Sequence, residues 1–126
     1  MIDDVRIDEW LELYQVAWRT DDPSHIARLF TDDARYYTEP FRDAHRGRDD
    51  IVAWWIGAGD SKVPWTFDYE LIAQEGDLYV VRGVTRYPEG GSVERSAPEV
   101  YHNLWLVALA PDGRASEFVE YWMEED

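Results

Sequence analysis

The residues that could carry out chemistry begin with a glutamate at the end of a tyrosine-rich run. Residues 29–43 read LFTDDARYYTEPFRD, in which Glu39 directly precedes Pro40. Proline cannot donate to a β-ladder, so we expect a short strand over residues 34–39 to end here. At a solvated rim, or as a turn cap, this carboxylate would have no chemical role, whereas at the lip of a closed pocket it could accept a proton. The orientation of the strand decides between these alternatives.

The other ionisable residues lack the spacings that are typical of catalytic or metal sites. The chain has no cysteine, and its histidines, His25, His45 and His102, fall in separate segments. No HExxH, P-loop, Rossmann or G-x-S-x-G motif occurs. We therefore expect neither a metal nor a cofactor. Four aspartate pairs are typical of turns and helix starts: Asp3-Asp4, Asp21-Asp22, Asp32-Asp33 and Asp49-Asp50.

The length and charge of the chain limit its partners. Its 126 residues suit one domain over residues 1–126, and its formal net charge is −15. This charge repels phosphates, so we expect no nucleic acid and no anionic membrane as a partner. The acidic start MIDDVRIDEW is not a signal peptide, and no apolar run approaches the ~20 residues that span a bilayer. We expect a cytoplasmic protein that binds a neutral, apolar or cationic small molecule.

The first half of the chain predicts three helices around the short strand. The first covers residues 7–20, the second begins at Asp22-Pro23 and runs to Phe30, and the third follows in DDIVAWWIGA. Aromatic residues make up 15% of the chain, with seven tryptophans, and these either fill a core or line a cavity. The apolar face of the first helix is predicted to contain Trp10, Leu13, Tyr14, Ala17 and Trp18.

The second half changes to the alternating pattern of strands. Four runs, WTFDYELIA, DLYVVRGVTRY, EVYHNLWLVALA and RASEFVEYWM, are predicted to pair antiparallel. The segments QEGD and PDGR predict hairpins, GAGDSKVP predicts a turn, and PEGGSVERSAP predicts a long mobile loop. Three helices must then pack on one face of a strongly curved, mostly antiparallel sheet, which is an α+β fold.

Side-chain alternation assigns the faces of two of these strands. In DLYVVRGVTRY, Arg82 and Arg86 are expected in water, and Gly83 is expected to face inward and leave room for a helix or a ligand. In the next strand, Tyr101, Asn103 and Trp105 form the bulkier face and are expected inward. The alternation in SEFVEYWM assigns neither face clearly.

The order of elements, with LFTDDA, the Glu39-Pro40 step and GRDDIVAWW, resembles the SnoaL-like domain of the nuclear-transport-factor-2-like superfamily. The resemblance runs from Trp10 to Met123. It implies an α+β cone whose sheet and helices enclose one deep apolar pocket. Its members include ketosteroid isomerase, polyketide cyclases and non-catalytic binding domains, so the resemblance implies the fold more firmly than the activity.

The comparison with ketosteroid isomerase implies roles for individual residues. Tyr14 corresponds to an oxyanion tyrosine, Glu39 to the general base, and Asn103 lies near a protonated oxyanion aspartate. Trp55 replaces a supporting tyrosine and has no hydroxyl to relay a proton. Counting from the hairpin glycine places Glu120 inward, where it would need a partner or a raised pKa.

Two features leave alternatives open. One extra residue between LFTDDA and Pro40 could turn Glu39 outward and place Tyr36 and Thr38 inward. The alternatives for Glu120 are the opposite register or an ion pair with Arg35 or Arg114. The rings expected to bind a small apolar or aromatic ligand are Trp18, Tyr36, Trp55, Tyr101, Trp105 and Trp122.

Three functions fit this sequence. The first is a cofactor-independent acid–base enzyme, such as an isomerase, cyclase, dehydratase or hydrolase, acting on an apolar small molecule. The second is a non-catalytic ligand-binding domain, and the third is a dimerisation module whose cavity is packed shut. An apolar patch on the convex face predicts a two-fold homodimer: Leu104, Leu106, Val119 and Tyr121.

Overall fold

Three helices are present in the computed structural model, which describes residues 5–58, 63–90 and 97–126. They are α1 (Val5–Thr20), α2 (Pro23–Ala27) and α3 (Arg48–Ala58). The buried face of α1 includes Ile7 and Leu11, whereas Leu13, predicted on that face, lies at its edge with 36% of its surface exposed. Asp22 caps α2 by accepting a hydrogen bond from the Ser24 backbone N–H at 2.8 Å.

Six strands form one mixed sheet against these helices. They are β1 (Phe30–Tyr37), β2 (His45–Arg46), β3 (Thr66–Glu75), β4 (Leu78–Tyr87), β5 (Glu99–Leu109) and β6 (Ala115–Glu124). Their order is β2-β1-β6-β5-β4-β3. β1 and β6 pair parallel, and the other neighbouring strands pair antiparallel. The predicted α+β class with a mostly antiparallel sheet is confirmed.

The first strand was predicted at the wrong position. It begins at Phe30, because that residue pairs with Ala115 of β6 and the Ala115 N–H donates to the Leu29 carbonyl at 2.7 Å. It also ends early, at Tyr37, so that Glu39 lies beyond the strand. There the Arg42 N–H donates to the Glu39 carbonyl at 3.3 Å and closes a turn. Parallel pairing with β6 therefore shortens α2 and moves β1 towards the N-terminus.

The alternation predicted for β4 and β5 is observed. Arg82 and Arg86 are exposed, while Asn103 and Trp105 are buried. Gly83 faces inward, but the space above it is filled by the Phe67 ring from β3 rather than by a helix or a ligand. A Cβ atom built on Gly83 would lie 2.5 Å from Phe67 Cε1. The expectation of open space at Gly83 was therefore wrong.

Two predicted loops lie partly outside the described residues. Residues 91–96 of the long polar loop and residues 59–62 of the GAGDSKVP turn are not described, nor are the first four residues of the chain. Within the described part of the chain, each helix is too short or too polar to cross a lipid bilayer.

Candidate functional site

A cavity of about 250 Å³ lies between the concave face of the sheet and the helices. Ten residues that the sequence predicted for a site line this cavity: Tyr14, Trp18, Tyr36, Glu39, Trp55, Tyr101, Asn103, Trp105, Glu120 and Trp122. The structure thus brings together side chains from α1, α3 and three strands. Five other residues also line the cavity: Thr38, Trp54, Ala58, Thr85 and Tyr87. Of these, the sequence placed Thr38 inward only in the alternative register, and it assigned none of the five to the site. The alternation of β4 already placed Thr85 and Tyr87 on the inward face.

Glu120 points into this cavity from β6. It pairs with Trp105 across the antiparallel β5–β6 ladder, and Phe118, two residues earlier on the same face, is fully buried. Glu120 Oε2 accepts hydrogen bonds from Asn103 Nδ2 at 2.6 Å and from Trp105 Nε1 at 2.9 Å. Both donors are neutral, and together they hold the carboxylate in one orientation.

The two arginines considered as partners for Glu120 bind other carboxylates. Arg35 Nη2 lies 2.5 Å from Glu117 Oε2, on the opposite face of β6. Arg114 Nε lies 3.9 Å from Asp112 Oδ2 in the hairpin before β6. The register of β6 therefore separates Glu117, which faces the outside, from Glu120, which faces the cavity.

Asn103 orients Glu120 in this structure. Its Oδ1 accepts a hydrogen bond from Thr85 Oγ1 at 2.8 Å, and its Nδ2 donates to Glu120. Because the hydroxyl can only donate to the amide oxygen in this arrangement, the amide nitrogen is directed at the carboxylate. In the chain Thr85–Asn103–Glu120, Asn103 fits the role of a positioning group.

A pair of buried tyrosine hydroxyls lies at the inner end of the cavity. Tyr14 Oη and Tyr36 Oη are 2.7 Å apart, and the two side chains are 6% and 3% exposed. Tyr36 stacks on Phe118 at a centroid distance of 4.6 Å. Trp55 turns its N–H away and donates to Asp21 Oδ1 at 3.2 Å. The hydroxyl beside Tyr14 therefore comes from Tyr36 of β1 and not from position 55.

Glu39 lies where the cavity opens to the outside. Its Oε1 accepts hydrogen bonds from Thr38 Oγ1 and Arg42 Nε, both at 2.7 Å, and its Oε2 accepts one from Trp122 Nε1 at 3.3 Å. Burial raises the pKa of Glu39, but the hydrogen bonds from Thr38 and Trp122 and the charge of Arg42 together lower it below the ordinary value. Glu39 is therefore an ionised carboxylate at neutral pH.

The strand register explains this position. Tyr36 and Thr38 both line the cavity, as the alternative register predicted. The turn at residues 39–42 then returns the Glu39 carboxylate to the cavity mouth. Glu39 thus borders the cavity, although it is not on the inward face of β1.

Aromatic rings form most of the wall. Trp18 stacks on Trp65 with 3.8 Å between ring centroids, and Trp105 stacks on Phe67 at 4.7 Å. Nearer the mouth, Tyr101 and Trp122 meet edge to face at 5.8 Å. These rings leave a cavity open, which argues against a cone that is packed shut.

A second, open groove lies on the convex face of the sheet, with a volume of about 980 Å³. Leu104 and Tyr121 line it, and Tyr121 is 43% exposed. Phe41 and Met123, which also line it, are 77% and 70% exposed. The groove therefore presents apolar side chains to solvent beside the cavity mouth. Within the described ranges, no three His, Asp or Glu side chains converge as metal ligands.

The comparisons with known proteins agree with this fold. The family model of the SnoaL-like domain matches residues 10–118 of the chain. No curated protein matches it.

Solved structures with the same fold include two that are named as enzymes or enzyme-like proteins. The epoxide hydrolase/cyclase-like enzyme SalBIII, described for pyran ring formation in polyether salinomycin, is 17% identical with a TM-score of 0.74, covering 98% of this chain and 95% of that one. A ketosteroid isomerase-like protein from Erwinia carotovora atroseptica SCRI1043 is 18% identical with a TM-score of 0.66, covering 95% and 96%.

A protein of unknown function with a cystatin-like fold from Methylobium petroleophilum PM1 is 15% identical with a TM-score of 0.72, covering 99% of this chain and 80% of that one. At such identities these likenesses show the fold, and the activity has to be argued from the side chains in the cavity.

Proposed function

Since the chain belongs to the SnoaL-like domain family, we propose that its cavity binds a small organic molecule and that Glu120 transfers a proton to or from it. The single observation that carries this proposal is the Glu120 carboxylate, held inside an aromatic cavity by Asn103 and Trp105. Both of these donors bind the same carboxylate oxygen, Oε2.

The tyrosine pair supplies the complementary group. When Glu120 removes a proton next to a carbonyl, negative charge develops on the carbonyl oxygen. The hydroxyls of Tyr14 and Tyr36 are hydrogen-bonded to each other, and we assign to this pair the donor that stabilises that oxygen. The reaction class is then acid–base chemistry without a cofactor, such as isomerisation, cyclisation, dehydration or hydrolysis.

Glu39 fits a binding role better than the role of general base. A general base works best with a pKa near the operating pH, whereas the pKa of Glu39 is lowered by its neighbours. We assign proton transfer to Glu120 because its carboxylate lies inside the cavity, and the orientation of ligands to Glu39 because its carboxylate lies at the mouth.

A second candidate function is binding without catalysis. It is favoured by the lowered pKa of Glu39 and by the number of aromatic rings in the wall, since such rings give affinity in the absence of any reaction. The two candidates differ in whether Glu120 is needed for turnover.

The test is a screen of ketones, enones and epoxides for turnover, followed by two matched variants. Glu120→Gln keeps the shape of the side chain and an acceptor oxygen but cannot take up a proton, so kcat should fall by about 100-fold or more. Glu117→Gln, on the opposite face of the same strand, should leave kcat unchanged. Wild-type kcat in Glu120→Gln would leave only the binding function.

The proposal also includes a two-fold homodimer through the convex face. Leu104, Leu106 and Val119 are half-buried in the single chain, and Tyr121 is 43% exposed. With Phe41 and Met123 they form an apolar surface of the kind that a second copy covers. Sedimentation at micromolar concentration tests this, and a monomer there would contradict it.

A further inference from the structure

The polar hydrogens of four cavity rings all donate to carboxylates. Tyr101 Oη donates to Glu99 Oε2 at 2.6 Å. The three tryptophans behave in the same way: Trp105 donates to Glu120 at 2.9 Å, Trp55 to Asp21 at 3.2 Å and Trp122 to Glu39 at 3.3 Å. All four rings line the same cavity.

This arrangement changes the electrostatics of the rings. An aromatic ring has a negative face, which attracts cations. A hydrogen bond from the ring N–H or O–H to an anion polarises the donor and pushes electron density into the ring. Each of the four faces therefore becomes more negative than that of an unpaired ring, and the carboxylate behind it adds its own charge.

The charged groups at the cavity have the same sign. Among the described lining residues, Glu39 and Glu120 are acidic and none is lysine, arginine or histidine. Arg42, the ion-pair partner of Glu39, lies on the outer groove with 62% of its side chain exposed. Solvent screens Arg42 there, so it offsets the charge of Glu39 only in part.

From these observations we propose that the ligand of this cavity is a small organic cation, an amine or quaternary ammonium compound, bound by an aromatic box of Trp55, Tyr101, Trp105 and Trp122. This inference rests on the proposed function for the presence of a ligand and adds its chemical class. The cavity holds about 250 Å³, roughly eight waters at about 30 Å³ each, which fits a compact trialkylammonium group with a short substituent. The lowered pKa of Glu39 keeps the mouth negative at neutral pH.

The test uses three probes of one shape and different charge. They are choline (cationic), 3,3-dimethylbutan-1-ol (neutral) and 3,3-dimethylbutanoate (anionic), titrated at constant ionic strength while tryptophan fluorescence is followed. We expect choline to bind about tenfold or more tighter than the neutral alcohol, since several ring faces contribute, and the anion to bind more weakly than either. Equal or tighter binding of the alcohol, or no saturable change with choline, overturns the inference.

Variants separate the aromatic box from general electrostatics. Trp122→Phe retains a smaller ring but loses the hydrogen bond to Glu39, so it should weaken choline several-fold and weaken the neutral alcohol less. Glu117→Gln removes one negative charge from the outer face and serves as the charge-matched control for Glu120→Gln. Equal weakening of choline by both Gln variants would show that net charge alone, and not the box, attracts the cation, and this too overturns the inference.

Failure of this inference and failure of the proposed function give different results. In one outcome, the cavity shows no preference for the cationic probe, but the protein turns over a neutral substrate and needs Glu120 to do so. This outcome overturns the ligand class and leaves the catalytic proposal standing. Tight choline binding by a protein that turns over no ketone, enone or epoxide, including cationic ones, supports the ligand class and overturns the catalytic proposal.

Discussion

Replacing Gly83 by alanine tests the packing behind the cavity wall. The added Cβ would lie 2.5 Å from Phe67 Cε1, 2.7 Å from Phe67 Cζ and 3.2 Å from the Asp68 carbonyl oxygen. The Phe67 ring must then move by about 1 Å to reach an ordinary contact distance. The ring is held in place by its neighbours: it stacks on Trp105 with 4.7 Å between ring centroids, and it lies tilted against Trp18 with 5.8 Å between ring centroids.

The expected cost follows from these contacts. Overpacking of this kind costs about 1–3 kcal/mol, and the lower backbone entropy of alanine in the unfolded chain returns about 0.5–1 kcal/mol. We therefore expect Gly83→Ala to lower the free energy of unfolding by about 1–2 kcal/mol. Urea denaturation followed by tryptophan fluorescence measures it.

Two companion variants make the result specific. In a Phe67→Leu background the shorter side chain removes the clash, so the added cost of Gly83→Ala should fall below about 0.5 kcal/mol. Gly57→Ala, in α3, places its new methyl group more than 4 Å from every described atom beyond the neighbouring residues and the local helix backbone, so it should stabilise the protein by up to about 1 kcal/mol. The reasoning is refuted if Gly83→Ala has the same cost in both backgrounds.

Three further predictions concern the cavity and the convex face. Glu39 has a pKa below its unfolded value of about 4.5, so it stabilises the fold above that pH and loses this contribution as pH falls through the folded pKa. In urea denaturation at pH 7, the free energy of unfolding of Glu39→Gln should accordingly be lower than that of the wild type by under about 1 kcal/mol, because Arg42 is largely exposed. This difference should shrink below about pH 4.5. Tyr36→Phe removes the 2.7 Å hydroxyl contact and should cost about 1 kcal/mol in urea denaturation while lowering kcat; unchanged kcat would exclude Tyr14–Tyr36 from the oxyanion role. Tyr121→Glu should convert the proposed homodimer to a monomer in sedimentation without loss of helical circular dichroism, whereas a dimer that persists in this variant would place the interface elsewhere.

The sequence carried enough information for the sheet because one face of it is packed and the other solvated. In β4 the exposed Arg82 and Arg86 alternate with buried Val81 and Thr85, and the pattern can be read directly. In β6 neither face was clearly apolar, because Glu120 carries a charge into the interior. A functional group that breaks the pattern is a place where sequence reasoning loses its main signal.

Contacts between elements distant in the chain were not predictable. Phe67 covers Gly83 from a diagonal position on the neighbouring strand β3. The sequence shows that Gly83 faces inward, but it does not show which side chain fills the space above this glycine. Tyr14 and Tyr36 were each selected, but their hydroxyl contact depends on how α1 crosses the sheet. The end of β1 depends on the parallel pairing of Phe30 with Ala115, which no local propensity specifies.

The most direct test of proton transfer by Glu120 is deuterium exchange into a bound ketone. A ketone that binds in the fluorescence titration is incubated with protein in D₂O, and loss of its α-proton signal is followed by NMR. The account predicts exchange above the buffer rate with the wild type and with Glu117→Gln, and no exchange above the buffer rate with Glu120→Gln. Exchange by Glu120→Gln at the wild-type rate, or no exchange by the wild type, would contradict the central claim.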